Sequence, residues 1–450
     1  QGHKFALRDL YAGEAVVRYG VTLGYLDHPV ARGALVNEHM LRIADAPSLD
    51  SLPAPGNVAS TLPPAPVSHF EGYPLEGQEY AGTRNILGIM TTVQCVAGVL
   101  NLAVEKMRTG LLPKYPHVDG ITVINHDYGC GVAIGAKDAD IPIRGLRNLI
   151  DNPNFGGQVM LVGLGCEKLL SEMLLDPDRN TPDNVIILQR HDGFHAMMNA
   201  LMEMADRKLQ NLEKRCRVTL PLSKLCVGMQ CGGSDAFSGI TANPAAGYAS
   251  DLLVAAGATV LFSEVTEVRD GVHLLASRCT DEFTSRKLAK EMRWYDEYLS
   301  TGGIDRDANP TPGNKQGGLA NIVEKAMGSI AKSGQAPIVE VLSPGERPSR
   351  RGLIFAATPA SDFVCGTMQL ASGITLQVFM TGRGTPYGLA AVPVIKVSSR
   401  TDLKNRWSDL IDFDAGIAAS GQSTIPELGE QLFRLIVETA SGKARPWAEQ

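Results

Sequence analysis

No stretch of the 450 residues approaches the roughly 18 consecutive apolar positions needed to cross a bilayer, so the chain reads as soluble. It has no block of lysine or arginine and no aromatic residues interleaved with basic ones. With a formal net charge of -6, these absences exclude a nucleic-acid footprint. The glycine turn at Cys231–Asp235 lacks the Lys-Ser/Thr of a phosphate loop and the glycine spacing of a dinucleotide fingerprint, and no nucleophile elbow or Ser-His-Asp order is apparent in the chain. The eight cysteines (95, 130, 166, 216, 226, 231, 279 and 365) have no paired spacing, and the sequence is read as one without a signal peptide. Free thiols in a reducing cytoplasm are therefore expected.

What is present describes a large globular protein. Hydrophobic residues make up 44% and charged residues 20%, and the length suggests about three domains. Residues 1–50 carry short β-type segments separated by glycine turns. Five prolines between Leu52 and Val67 predict an extended connector over 51–70. From 71 to 220, apolar runs such as ITVIN and VMLVGLGC alternate with amphipathic helices, which is α/β order. A second such block fills 221–450, where LCVGMQ, ATVLFSEV, PIVEVL, GLIFAAT, TLQVFM and VPVIKV alternate with helices. Near-continuous apolar strands joined through helices imply a parallel sheet covered on both faces.

Polar punctuation follows these strands, where an open parallel sheet binds ligands. In MQCGGSDAFSGITAN, two glycines allow close backbone approach, while Ser234, Asp235, Ser238 and Asn243 offer oxygen atoms. Asp235 and Ser234 also suit a helix or turn cap; the ligand reading is preferred. Glu264 and Glu267 follow another apolar strand and are either cation ligands or solvated loop acids. Cys95, Cys130, Cys166, Cys231 and Cys365 each end an apolar run near glycine. Singly each is a small buried hydrophobe; together they point to at least one soft metal ligand or reactive thiol. His126, in INHDYGCG, is either an acid/base imidazole or a loop-bonding one. Arg84 and Arg383 are single guanidiniums in glycine turns, suited to gripping a carboxylate or clamping loop carbonyls. Asn314 and Lys315 in NPTPGNKQGG suit a lid or an anion contact.

Taken together, EGYPLEGQEYAGTRN, LLPKYPHVDGITVINHDYGCGVAI, NPNFGGQVMLVGLGCEKL, VGMQCGGSDAFSGITANPAAGYASDLL and ATPASDFVCGTMQLASGITLQVFMTGRGTPYG resemble the altronate/galactarate dehydratase family. SPGERPSRRGLIFAATPASDF is similar to its galactarate branch. The resemblance implies an N-terminal β-clip (SAF) module whose first strands lie upstream of Gln1, a middle α/β domain that dimerises, and a C-terminal Rossmann-like domain with a metal site. It also implies a hydro-lyase that needs ferrous iron, or another divalent cation, and reducing conditions. The implied substrate is the six-carbon dicarboxylate galactarate, and the product 5-dehydro-4-deoxy-D-glucarate. An altronate dehydratase, a sulfolactate-type lyase and a sugar-acid-binding homologue without catalysis remain as alternatives. The expected site has Cys231, Asp235, Glu264 and Cys365 as metal ligands and His126 as base. Arg84, Ser234, Asn243, Lys315 and Arg383 are expected on the substrate, in a homodimer.

Overall fold

The computed structural model of the protein describes residues 2–56, 61–130 and 133–450; residues 57–60 of the expected connector lie outside the described residues. The architecture is mixed α/β, with a small antiparallel β-module followed by two parallel sheets.

In the first module Ala15–Arg18, Val21–Leu26 and Leu41–Ile43 form an antiparallel sheet, and Lys4–Phe5 pairs with Leu35–Val36. Its own core is only Ala6, Leu26, Val30 and Val36. So small a core supplies little stability, and the module leans on the rest of the chain. Lys4 Nζ lies 2.7 Å from Glu324 Oε2, Arg18 also pairs with Glu324, and Asn321 Nδ2 donates to the Leu23 carbonyl at 2.8 Å.

The middle sheet has four parallel strands in the order Val185–Ile187, Met160–Gly163, Ile86–Thr91, Gly120–Ile124. Alternate residues of Ile86–Thr91 face different cores, because successive side chains on a strand point to opposite faces. Leu87 and Ile89 pack with the helices Ala97–Gly110 and Gly193–Glu213. Ile86 and Met90 join Leu146 and Leu149 of Asp140–Ile150 in a core that reaches Cys226, Leu261 and Ile354 of the next sheet.

That next sheet has seven parallel strands in the order Ile338–Leu342, Leu353–Ala356, Thr259–Phe262, Cys226–Cys231, Leu376–Thr381, Val394–Ser398, Phe413–Asp414. Every residue of Cys226–Cys231, Thr259–Phe262 and Leu376–Thr381 is buried, which accounts for their near-continuous apolar runs. Phe262 and Phe355, paired in register, meet edge to face at 5.1 Å, a contact contributing about 1 kcal/mol beyond area burial. From the central strand Cys226–Cys231 the chain builds first to one side and later to the other, so its carboxyl end lies at a topological switch point.

Candidate active site

Cys231 is the last residue of the central strand, and Gly232 and Gly233 turn the chain out of the sheet. Both glycines are required by space. A Cβ on Gly232 would lie 2.4 Å from Asp362 Oδ1, and Gly233 holds φ at +60°. On the neighbouring strand end Glu264 adopts φ +79°, a left-handed conformation uncommon for a side-chain-bearing residue. Thr358 fixes it, its Oγ1 accepting from Glu264 N at 3.2 Å and its carbonyl from Val265 N at 2.9 Å.

The turn brings Glu264 and Glu267 over Cys231. Ligand atoms of these three buried residues all lie within 4.8 Å of one another, the one group among the described residues arranged to hold a metal ion. Cys231 Sγ is 3.3 Å from Glu267 Oε2, and Cys231 N lies 3.4 Å from Glu264 Oε2. The fully buried Lys332 sits among them, with Nζ 3.0 Å from Glu264 Oε2, 3.3 Å from Cys231 Sγ and 2.8 Å from Ser329 Oγ. Lys325 Nζ approaches Glu267 Oε1 at 2.6 Å. Burial pushes the Cys231 thiol up to about 12, against the pull of Lys332. Burial, and then the charge of Glu267, raises Glu264. Glu267 is held below the ordinary carboxylate value despite its burial, because Lys325 and Lys332 both face it. The arrangement is a cation cradle of one thiol and two carboxylates, with an ammonium at its edge.

Asp235 and Cys365 are not in that group. Asp235 Oδ1 accepts from Phe237 N, Ser238 N, Ser238 Oγ and Ser399 Oγ at 2.9–3.1 Å, and Oδ2 lies 3.0 Å from Arg400 Nε. It shapes the turn, and the fit is close enough that a Cβ on Gly382 would fall 2.2 Å from its Cγ. Cys365 is buried on the helix Asp362–Ala371 instead of at a strand end, beside Thr358 and Ser263.

Ser234 and Asn243 line a 10 Å³ cavity with Asp235, Lys325, Ser329 and Tyr19 of the β-module. The space suits a single water. Ser234 Oγ and Asn243 Oδ1 are buried there without a hydrogen-bond partner. Arg383 is exposed at the rim, its N donating to Gly233 O at 2.9 Å and its Nη2 lying 3.4 Å from Gln316 Oε1. Lys315 is half-buried in the short helix Pro312–Gln316, which Thr311 and Asn314 cap reciprocally. Asn314 Nδ2 donates to Ser234 O at 2.8 Å.

Two expected residues are held by groups of the chain outside the cradle. Arg84 is buried with its fork on Glu449, at 2.7 and 2.6 Å, and its Nη1 donates to the Thr83 and Thr439 carbonyls. Its guanidinium is engaged by the chain itself. His126 follows the middle-sheet strand Gly120–Ile124, with Nε2 2.7 Å from the Thr91 carbonyl. A carbonyl only accepts, so Nε2 carries the proton and Nδ1 is the basic nitrogen. Burial lowers the histidine's pKa, which favours the neutral imidazole. The 740 Å³ cavity beside Glu167, His191 and Arg207 touches none of the expected site residues.

Sequence reasoning noticed Glu267 without placing it in the site and missed Lys325, Ser329, Lys332, Asp362 and Arg400. The spacing 325, 329, 332 in EKAMGSIAKSG was a signal, since it puts three polar groups on one face of an apolar helical stretch. Asp362 is raised to about 6 by burial and then by the charge of Glu267. Its folded value exceeds its ordinary one, so stability present below 3.8 is lost as pH rises through about 6. Asp362→Asn is expected to flatten this decline, gaining on the order of 1 kcal/mol at neutral pH once partial exposure is allowed for. Urea melts across that window check it; parallel curves for the two proteins would remove Asp362 from the account.

Three family profiles cover the chain: an altronate/galactarate dehydratase SAF domain over 1–44, a D-galactarate dehydratase/altronate hydrolase second domain over 72–213, and a D-galactarate/altronate dehydratase C-terminal domain over 222–450. Fold, site and these matches define a hydro-lyase of the sugar-acid class. Galactarate dehydratase (L-threo-forming) of Escherichia coli strain K12 is 56% identical, over 100% of this chain and 87% of its own length. Altronate dehydratase of the same strain is 33% identical, over 98% and 88%. The (2R)-sulfolactate sulfo-lyase subunit beta of Chromohalobacter salexigens is 31% identical, over 73% and 84%. The chain belongs to the altronate/galactarate dehydratase family.

Proposed function

We propose that the protein removes water from galactarate to give 5-dehydro-4-deoxy-D-glucarate, with ferrous iron as cofactor. The observation that carries the reading is 56% identity along the whole chain to a galactarate dehydratase, against 33% and 31% to altronate dehydratases.

The chemistry needs a proton removed from the carbon beside a carboxylate, and a hydroxyl lost from the next carbon as water. The resulting enol then ketonises. Cys231, Glu264 and Glu267 would hold the iron, their mixed sulfur and oxygen donors suiting a borderline cation. A bound divalent cation supplies Lewis-acid stabilisation of charge developing on the carboxylate. Arg383 and Lys315, at the rim, receive the substrate's carboxylates. Ser234 Oγ and Asn243 Oδ1, both lacking partners, take its hydroxyls. Asp235 positions Arg400 and the glycine turn, while Cys365 supports Thr358 beneath Glu264. His126 Nδ1 is assigned as the base that takes the α-proton. A six-carbon acid does not fit a 10 Å³ space, so binding requires the β-module carrying Tyr19 to move outward. The enzyme is assigned to the cytoplasm as a homodimer through the middle domain, a pairing supported by exposed Leu102, Leu170 and Phe194.

Anaerobic assay of keto-acid formation with ferrous iron, on galactarate, altronate and sulfolactate in parallel, tests the assignment. Preference for either of the other acids, or no product from any, would overturn it. Among the arginines, Arg383→Ala is expected to raise KM and lower kcat/KM by roughly ten- to a hundredfold. Arg84→Ala is expected to cost about 2 kcal/mol of stability with little kinetic effect, because it strands Glu449 and two carbonyls. Steady-state kinetics alongside thermal melts separate the two; interchange of the effects would place Arg84, not Arg383, on the substrate.

A further inference from the structure

Three of the four exposed cysteines lie in loops at one edge of the middle sheet, and none of them belongs to the thiol–carboxylate cradle. Cys95 follows Ile86–Thr91, Cys130 follows Gly120–Ile124, and Cys166 follows Met160–Gly163, three adjacent parallel strands leaving the sheet at the same end. Cysteine is among the most consistently buried residue types, so three exposed thiols from three neighbouring strand ends are a placement that packing does not explain.

The loops that carry them are fastened together. Gly129, next to Cys130, accepts at its carbonyl from Lys168 N at 2.8 Å, which ties the second loop to the third. The same glycine has φ +112°, and a Cβ there would lie 2.1 Å from the Thr92 carbonyl, so it is pressed against the first loop as no other residue could be. Glu167, next to Cys166 and only 7% exposed, binds Thr92 Oγ1 and accepts from Leu164 N at 2.9 Å. Each cysteine is thus within three residues of a contact joining its loop to another.

We propose that Cys95, Cys130 and Cys166 bind an iron–sulfur cluster. A single tetrahedral ion with metal–sulfur bonds of about 2.3 Å needs its sulfurs about 3.8 Å apart. Among the described residues these three thiols do not form a group with all ligand atoms within 4.8 Å. A cluster fits wider spacing, because each thiolate binds a different iron. Assembly from two ferrous ions, two ferric ions and four sulfides is balanced in electrons, and the three thiols release three protons on ligation. Three protein thiolates leave one iron of a four-iron cluster open to an oxygen ligand such as a carboxylate or hydroxyl. The site is separate from Cys231, Glu264 and Glu267, and its test does not depend on any turnover.

Anaerobic reconstitution of the full chain with equal ferrous and ferric iron and sulfide is expected to bind about four irons and four acid-labile sulfides per chain, with a broad visible absorption. Cys95→Ser, Cys130→Ser and Cys166→Ser should each lose most of the labile sulfide, while Cys216→Ser and Glu264→Gln keep it. In the wild-type protein, reconstitution should shield the three thiols from iodoacetamide and leave exposed Cys216 labelled, a readout independent of how any variant folds. Iron bound without labile sulfide, zinc held by the three thiols in the isolated protein, or equal labelling of Cys95, Cys130, Cys166 and Cys216 would each overturn the proposal.

Discussion

Glu264→Gln is expected to weaken divalent-metal binding by at least two orders of magnitude, about 3 kcal/mol, and to lower turnover by roughly 10² to 10⁴. The substitution keeps the volume and removes one of two anionic oxygen donors from a cradle that has only three ligand residues. Glutamine retains the left-handed backbone that Glu264 adopts at φ +79°, so the loss falls on charge and not on the turn. Folding should lose little, because burial already disfavours a charged Glu264 and Glu267 still faces Lys332. Calorimetric titration with ferrous iron, paired with the keto-acid assay, measures both effects. Unaltered metal affinity would take Glu264 out of the cradle.

The largest effect on stability is expected from Lys332→Met. The ammonium is 0% exposed and lies 3.0 Å from Glu264 Oε2, while Glu267 faces it across the same pocket. Removing one partner of a buried ionic group leaves uncompensated charge and costs about 3–5 kcal/mol. Deprived of Lys332, the carboxylates recover neutrality only by taking up protons. The folded pKa of Glu264 then stands further above its unfolded one and Glu267 loses part of its depression, so the variant loses stability as pH rises. Adding Glu264→Gln to Lys332→Met should restore part of the loss, as should a divalent cation, which can take the place of the missing ammonium. Urea melts of the single and double variants at mildly acidic and mildly alkaline pH, with and without metal, provide the check. Equal destabilisation at both pH values, unrelieved by metal, would mean that Lys332 acts through packing alone.

Strand and helix alternation, the covered parallel sheet and the polar turn after Cys231 were all legible in the sequence. Each rests on a local signal: period-2 or continuous apolar runs, 3.6-residue stripes, and glycines where the chain must turn. The candidate site was legible only in part. Cys231 and Glu264 end apolar strands, and their placement at the sheet's carboxyl edge follows from that pattern. The donor that completes the cradle with them does not: Glu267 reads as a loop acid until the strained turn at Glu264 points it back toward Cys231. Asp235 shows why a polar residue after a strand is ambiguous, since its carboxylate is used by the backbone of its own turn and by Arg400, which arrives from the end of another strand.

Arg84 carries the same lesson over a longer span. Its sequence neighbourhood, a glycine turn before a strand, suits a carboxylate clamp, and the carboxylate it holds is Glu449 of its own C-terminal end. By itself the sequence determined which segments are buried and where the chain must leave the sheet, because apolar periodicity and turn chemistry are set by neighbours within a few residues. Only the tertiary structure decided which charges meet. Lys332 reaches Cys231 and Glu264 across the order of seven strands, and the low dielectric there makes the pairing of those groups, not their local sequence, the quantity that fixes their protonation and their chemistry.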